Sequence, residues 1–318
     1  MAGSCRSITE FEKLNILGEG TYGVVYRARD SRTGHQVAVK QVKMNQERGG
    51  LPLSSLREIT ALQQLRHTNV LQLLHVAAGR RLTSIFLIME YCEHDLAALV
   101  DNMPAPFPEP AVKCLMQQLF AGLDAMHREC LIHRDLKLSN LLLTDHGILK
   151  VADFGLTRVI EDPAHHMSPT VVTLWYRPPE LVFGMKNYTR AVDIWSCGCI
   201  FAELLAHEPL FPAKTEVALL EMVIGLLGAP HESIWPAFRD LPLAHRFHMP
   251  HQPYSNLKQR FGFLSSTGLD LMQDLLMYDP EKRLSAIAAS VHPYFRTAPL
   301  PLDPEFMPTF PRHRNYNH

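Results

Sequence analysis

The sequence predicts an α+β chain of two unequal lobes, a small β-rich one followed by a larger, mostly helical one. Three observations predict it. Over the first ~90 residues, short β-branched and aromatic runs alternate with turns rich in Gly, Asp and Ser. Beyond them, apolar residues recur at helical spacing. The length of 318 residues, 47% hydrophobic and 20% charged, is enough for two domains or one bilobal unit with a large core. The same composition excludes a disordered or collagenous chain.

The elements follow in order. Residues 11–17 are the first strand candidate, and glycines come at 18, 20 and 23. Val24-Val25-Tyr26 then favours a second strand, because branched and aromatic side chains suit a pleated surface. Asp30-Ser31-Arg32-Thr33-Gly34 reads as a turn and Gln36-Val37-Ala38-Val39-Lys40 as the next strand. Pro52 stands where a helix can start, since a first turn needs no N–H from it. Ser55 and Glu58 have capping-box spacing, but Pro52 marks an earlier start, so the helix is expected over 52–65. Residues 85–89 form a short apolar strand running into Glu90-Tyr91-Cys92-Glu93, and the chain crosses between lobes near 90–95. Val112, Leu115, Met116, Leu119, Phe120, Leu123 and Met126 fall on one helix face. Residues 193–206 are apolar on nearly all sides and predict a buried helix. From Pro299 the chain is rich in proline and polar residues and reads as an extended tail over the surface. The expected division is 1–92, 93–298 and a tail over 299–318.

Charge and cysteine usage narrow the function. Lys and Arg number 31 against 32 Asp and Glu, a net charge of −1. With no basic excess, a direct nucleic-acid partner is not expected. No window reaches the roughly 18 apolar residues of a membrane span, so no membrane is expected. The opening Met1-Ala2-Gly3-Ser4-Cys5-Arg6 lacks the apolar core of a signal peptide, and Gly3 is one place late for myristoylation. The cysteines at 5, 92, 114, 130, 197 and 199 form no CxxC pair, which argues against zinc and for reduced, buried thiols. The expected compartment is cytoplasm, nucleus or both.

Gly18-Glu19-Gly20-Thr21-Tyr22-Gly23 is a GxGxxG run, which alone fits a plain turn, a dinucleotide fingerprint or a hairpin over phosphates. A dinucleotide site needs a helix directly after it and an acidic residue about 20 positions on. Here β-branched residues follow, and Lys40 lies 17 positions after Gly23. Both features favour a glycine hairpin with a lysine on the next strand. Glycine lets such a backbone approach phosphate oxygens without a Cβ in the way. A second constellation is more specific. His133-Arg134-Asp135-Leu136-Lys137-Leu138-Ser139-Asn140 fits HRDLxxxN at every fixed position. Asp153-Phe154-Gly155 begins 18 residues after Asp135, and Pro178-Pro179-Glu180 stands where an APE triplet would be. On these residues the chain resembles the eukaryotic protein kinases over about 11–295. The resemblance implies the bilobal kinase fold, with a small antiparallel β-rich N-lobe carrying one major helix and a larger, mostly α-helical C-lobe.

Phosphoryl transfer asks for charge neutralisation and in-line alignment more than covalent help. Asp153 and Asn140 offer oxygen ligands suited to Mg²⁺, a hard cation. The resemblance implies that Lys40 holds the α- and β-phosphates of ATP and pairs with Glu58. It implies that Asp135 accepts or orients the substrate hydroxyl proton and that Lys137 steadies the transferred phosphoryl. Leu17, Gly18, Glu19, Gly20, Thr21, Tyr22, Gly23, Val25, Ala38, Asp95 and Leu142 are the other expected ATP contacts. Hinge backbone at Glu90 and Cys92 is expected on the adenine edge, with Met89 at the back of the pocket. For Glu58 the alternative of an ordinary exposed helix glutamate stays open, because its role depends on where the helix sits.

Pro52-Leu53-Ser54-Ser55-Leu56-Arg57-Glu58 resembles the PSTAIRE-type helix of cyclin-dependent kinases, most closely its PISSLRE form, with Leu53 the difference. Val171-Val172-Thr173-Leu174-Trp175-Tyr176-Arg177 is similar to that family's segment before the substrate site. Residues 211–261, holding Leu227-Gly228-Ala229-Pro230, resemble an insert shared with mitogen-activated kinases. Those rivals carry Thr-x-Tyr in the activation loop, whereas this loop reads His166-Met167-Ser168-Pro169-Thr170. The resemblance therefore implies a cyclin-dependent, proline-directed Ser/Thr kinase using ATP and Mg²⁺, with a cyclin as partner and Ser/Thr-Pro proteins as substrates. The rival from another class is a catalytically silent scaffold. The intact set Lys40, Glu58, Asp135, Asn140 and Asp153 argues against it.

Regulation is expected at three places. Arg57, Arg134 and Arg158 come from the helix, the catalytic loop and the activation loop, and three such cations meeting need a dianion such as phosphate. The family's phosphorylated threonine aligns with Ser168, with Thr170 as the fallback acceptor. Thr21 and Tyr22 match a pair whose phosphorylation inhibits relatives, or are ordinary loop-tip hydroxyls. Val172, Thr173 and Arg177 form the expected substrate platform. In proline-directed relatives the second valine takes an unusual backbone angle and turns its carbonyl from the substrate; the alternative is a merely packed valine. Thr173 is expected to bond toward Asp135 and Lys137. Pro178, Thr157 and Leu138 depart from the family pattern without removing a needed charge. Glu180 is expected to pair with Arg283, and Asp193 to brace the catalytic-loop backbone. His245, His248 and His251 recur every third residue, but Pro250 interrupts the helix that metal ligation would need, leaving a surface loop. His165-His166 is read the same way.

Overall fold

The computed structural model describes residues 5–20, 23–42, 53–79, 84–160, 171–247 and 250–311. The smaller lobe is built on β1 (Arg6–Ser7), β2 (Phe11–Gly20), β3 (Gly23–Asp30), β4 (Gln36–Gln41), β5 (Leu73–Ala78) and β6 (Ile85–Glu90), with helix α1 (Leu53–Gln64) between β4 and β5. These strands form one six-stranded sheet in the order β1-β5-β6-β4-β3-β2. Neighbours are antiparallel except β1, which runs parallel to β5. β1 is too short to show a periodicity, so no sequence pattern marks it. Its anchor is tertiary: the Arg6 guanidinium forks onto Asp30 at 2.7 and 2.8 Å and reaches Glu10 at 2.9 Å. That fork holds the Asp30 carboxyl well below the usual carboxylate range, although burial pushes the other way. Among the described residues α1 runs from Leu53, so Ser55 lies inside it rather than before its first turn.

The larger lobe continues with β7 (His94–Asp95), α2 (Leu96–Asn102), α3 (Glu109–Arg128), β8 (Leu131–Ile132), β9 (Leu141–Leu143), β10 (Leu149–Val151) and β11 (Arg158–Val159). It then becomes helical: α4 (Pro179–Val182), α5 (Ala191–Ala206), α6 (Glu216–Leu227), α7 (Leu257–Arg260), α8 (Ser266–Leu275) and α9 (Ala286–Ser290). β10, β9 and β7 make a small sheet, and β11 pairs with β8. α3 buries the expected apolar face, and α5 is buried along nearly its whole length. Both belong to the main core cluster, together with Trp235, Phe261 and Tyr294.

The tail is more tightly held than its composition suggests. Lys113 of α3 has no exposed surface, and its Nζ donates to the carbonyls of Thr297 and Pro299 at 2.9 and 2.8 Å. The Leu302 N–H donates to the Pro110 carbonyl. Met307 is buried, and Phe310 packs edge-on against His94 and Phe107. Residues 299–311 are thus a strap docked by a few apolar side chains rather than a free extended tail. The expectation of buried thiols fails at Cys5, which is exposed, and at Cys130, which is half-buried. His245 sits in a single 3₁₀ turn, His251 is exposed, and His248, Pro52 and His165-His166 lie outside the described residues. Among the described residues, no helix is long and apolar enough to cross a membrane.

Two polar contacts inside the larger lobe generate predictions. Arg283 meets Glu180 in a bidentate pair at 2.6 Å, as expected, with neither side chain exposed. Its remaining donors reach the carbonyls of Met277 and Ala191 at 2.7 and 2.9 Å. Arg283→Ala leaves a buried carboxylate unpaired and is expected to cost about 3–5 kcal/mol in denaturant unfolding. Replacing both partners by apolar residues of similar volume is expected to recover much of that loss. The second contact is Glu203 in α5, which accepts the Tyr176 hydroxyl at 2.7 Å. Burial pushes the Glu203 carboxyl up from 4.5 to about 7, with the Tyr176 bond opposing and the Asp101 charge assisting. The folded state therefore binds a proton that the unfolded state has released between those values, and stability falls as pH rises through that window. Glu203→Gln keeps an acceptor for Tyr176 and cannot ionise. Its stability is expected to gain on the wild type from pH 5 to pH 7, by at most roughly 3 kcal/mol, and to level off near pH 8, read as the difference in melting temperature between the two proteins.

Candidate active site

A cleft of about 520 Å³ lies beneath the β2–β3 hairpin. Leu17, Gly18, Glu19, Gly23, Val25, Ala38, Lys40, Met89, Glu90, Cys92 and Leu142 line it, as the sequence predicts. Gly23 has φ +146°, and a Cβ there would collide with the Gln41 carbonyl oxygen, so the hairpin requires glycine at this position. Gly20 pairs with Gly23 at the end of the hairpin; Thr21 and Tyr22 lie outside the described residues. The Asp95 carboxylate caps α2 through Oδ1, accepting the Ala98 N–H at 2.7 Å, while the residue stands outside the cleft wall. Leu71, Tyr91, Ser139 and Ala152 complete the wall. Leu71 carries no motif; Tyr91 stands between the hinge residues Glu90 and Cys92, Ser139 inside the HRDLxxxN run and Ala152 directly before Asp153, signals that sequence reading did not use.

The register of β4 puts Lys40 opposite Val25 on one side and Leu87 on the other. Its Nζ lies 2.6 Å from Glu58 Oε1 and 3.5 Å from Asp153 Oδ1. Burial disfavours the ammonium, but two facing carboxylates outweigh it and hold Lys40 above its ordinary range, hence protonated. Glu58 is 4% exposed, so it is not a solvated helix glutamate.

The catalytic loop is held from below. Asp193, near the start of α5, accepts the backbone N–H groups of His133 and Arg134 at 2.9 Å each and meets His127 Nε2 at 3.0 Å. Burial opposes its charge, yet the bonds and charge of its partners keep its carboxyl below the usual range. Above this brace, Asp135 Oδ1 accepts Thr173 Oγ1 at 2.7 Å, and Oδ2 accepts Lys137 Nζ at 2.9 Å and Asn140 Nδ2 at 3.1 Å. Lys137 also donates to Thr173 Oγ1 at 3.2 Å. The Asn140 amide nitrogen is further tied to the Asp135 carbonyl at 2.7 Å, which leaves Oδ1 as the atom that could hold a metal. Asp153 Oδ1 is buried without a hydrogen-bond partner and faces Lys40 only at the longer 3.5 Å. One neutral and one anionic oxygen ligand, one of them left unsatisfied, fit a hard divalent cation such as Mg²⁺.

Backbone strain gathers here. Arg134, Asp153 and Val172 have φ of 68°, 62° and 68°, three of five left-handed non-glycine residues among those described. Val172 is both buried and reversed: its carbonyl accepts Arg177 Nε at 3.2 Å and a terminal nitrogen at 2.9 Å. Arg177 also reaches Glu216 Oε1 at 2.7 Å, a partner that sequence reading did not find because it lies 39 residues away. Of the three arginines, Arg57 sits close enough to Arg134 that burial and that neighbouring charge lower its pKa. Arg134 is tied to the Leu156 carbonyl at 2.7 Å and to the Tyr188 hydroxyl at 2.8 Å. β11 places Arg158 across from Ile132, two positions before Arg134. Ser168 and Thr170 lie outside the described residues.

Comparison with known proteins agrees with this geometry. The sequence pattern of the protein kinase domain matches residues 11–295. Cyclin-dependent kinase 10 of Rattus norvegicus is 55% identical over 313 residues, covering 98% of this chain and 87% of that one. Cyclin-dependent kinase 10 of Homo sapiens is 54% identical over the same shares. Cyclin-dependent kinase G-2 of Oryza sativa subsp. indica is 50% identical over 319 residues, 98% of this chain and 45% of that protein. The chain belongs to the protein kinase family and, within it, to the cyclin-dependent serine/threonine kinases of the PISSLRE type.

Proposed function

We propose that this kinase, bound to a cyclin, transfers the γ-phosphate of ATP to Ser or Thr residues followed by proline. The observation that carries the reading is the single network joining Asp135, Lys137, Asn140 and Thr173, which ties the catalytic carboxylate to the substrate platform. In this reading the hinge backbone at Glu90 and Cys92 binds the adenine edge, and protonated Lys40 holds the α- and β-phosphates with Glu58 steadying it. Asn140 and Asp153 would hold Mg²⁺, which when bound neutralises phosphate charge. Asp135 accepts or orients the proton of the substrate hydroxyl, and Lys137 steadies the transferred phosphoryl. A silent scaffold would have no need of this set. Asp135→Asn in the cyclin complex is expected to lower kcat by about 10²- to 10⁴-fold while a thermal shift by Mg-ATP persists.

Proline selection follows from Val172. Its carbonyl is engaged by Arg177, so it cannot accept the N–H of the residue after the acceptor. Proline has no N–H, whereas another residue buries an orphan donor at ~1–3 kcal/mol. Peptides with proline against alanine at that position are expected to differ roughly 5- to 150-fold in kcat/KM. Equal values would sink the proposal.

The cyclin reading rests on the names of the relatives and on α1. Glu58 rides on that helix, so any partner that seats α1 sets the Lys40–Glu58 pair. Leu56 on the same helix is 44% exposed, an apolar side chain available to a partner. Phosphate on Ser168, or on Thr170, would relieve the crowding of Arg57 and Arg134 and draw in Arg158. Phosphate on Thr21 or Tyr22 would set like charge beside ATP and inhibit. A cytoplasmic or nuclear setting suits six free cysteines. The isolated chain is expected to be nearly inactive on peptides, and full activity from rigorously monomeric protein would refute the cyclin requirement.

A further inference from the structure

We propose that Glu216 is a positioning residue for proline selection, acting through Arg177 on the carbonyl of Val172. The inference rests on the reading that this reversed carbonyl is what selects proline. Arg177 makes three contacts with one planar group: Nε and one terminal nitrogen on the Val172 oxygen, the other terminal nitrogen on Glu216 Oε1. A guanidinium is rigid, so fixing its far corner fixes the plane in which the near corner meets the carbonyl. This restraint has work to do. Val172 is held at φ +68°, a conformation a β-branched residue resists, and relaxation toward ordinary φ swings the carbonyl away from Arg177.

Glu216 is well placed for the task. It is the first residue of α6, whose N-cap Thr215 accepts the Ala218 N–H, and a carboxylate there is favoured by the helix dipole. The helix is anchored by buried Leu219, Leu220 and Val223. A second contact, Trp175 Nε1 to the Ala213 carbonyl at 3.0 Å, joins the same two segments. Arg177 is 12% exposed and Glu216 45%, so the pair is partly screened and its effect is modest.

The test uses the cyclin-bound enzyme and two peptides that differ only in proline or alanine after the acceptor. Glu216→Gln is expected to lower the proline-to-alanine ratio of kcat/KM by about two- to fivefold, the loss falling on the proline peptide. A merely structural role would lower both peptides together and leave the ratio alone. Arg177→Lys is expected to lower the ratio further, and adding Glu216→Gln to it to change nothing more, because both act on one carbonyl. In the wild type, raising salt is expected to lower the ratio in the same direction, which tests the pair without any variant. An unchanged ratio in Glu216→Gln beside an intact wild-type preference, or independent losses in the double variant, overturns the role of Glu216. A wild-type ratio near one overturns the proline reading itself, so the two failures are distinguishable.

Discussion

Asp193 is the fixed point of this kinase. A fully buried carboxylate is costly unless it is hydrogen-bonded, and here both oxygens are engaged, by two backbone N–H groups and one imidazole. Those two N–H groups belong to His133 and Arg134, so the acid at the head of the most buried helix sets the catalytic-loop backbone directly. Arg134 can then keep its left-handed angle, and Asp135 is presented to Thr173, Lys137 and Asn140. Loss of the brace would not remove a reacting group; it would release the strain that aims one.

The smaller lobe is linked to this brace through charge. Lys40 comes from the sheet, Glu58 from α1 and Asp153 from the segment after β10, and one ammonium serves both carboxylates. Because Lys40 and Glu58 are buried, their mutual attraction is strong and the arrangement is sensitive to small shifts of α1, whereas Asp153 is partly exposed. The lobes are joined a second time by backbone: the Val151 N–H donates to Asn69, and the Leu71 N–H to Val151. The hinge is therefore not the sole mechanical connection, and Ala61 and Leu62 at the far end of α1, with Leu65 just after it, pack into the main core as well.

Much of this was legible in the sequence. Strands, helices and lobe order followed from period and turn chemistry, because burial on one face leaves a periodic trace. The catalytic set was legible because phosphoryl transfer tolerates few residue types at those spacings. The misses have physical causes. β1 exists through the Arg6–Asp30 fork, a contact between residues 24 apart that no local pattern encodes. Asp95 also caps α2, a role its place directly before a helix allowed and sequence reading did not name. The tail's composition concealed Met307 and Phe310, which dock it together with the Lys113 and Pro110 contacts. Tyr188 and Glu216 were invisible for a related reason: each matters only through an arginine far away in sequence.

The arginines show why such distant partners recur. Arg134 and Arg177 each place one part of a rigid guanidinium on a backbone carbonyl, of Leu156 and Val172, and another part on a distant side chain, Tyr188 and Glu216. In both cases the carbonyl belongs to a segment next to the reacting centre, and the side-chain partner to the helical body of the larger lobe. Arg134 itself and the carbonyl residue Val172 are left-handed, conformations that would relax without a restraint. A planar fork is suited to this because it transmits orientation as well as distance, which a lysine ammonium does not. The helical core thus reaches the active site through rigid cations rather than through packing alone, and strained backbone near the reacting centre is held by partners far away in sequence.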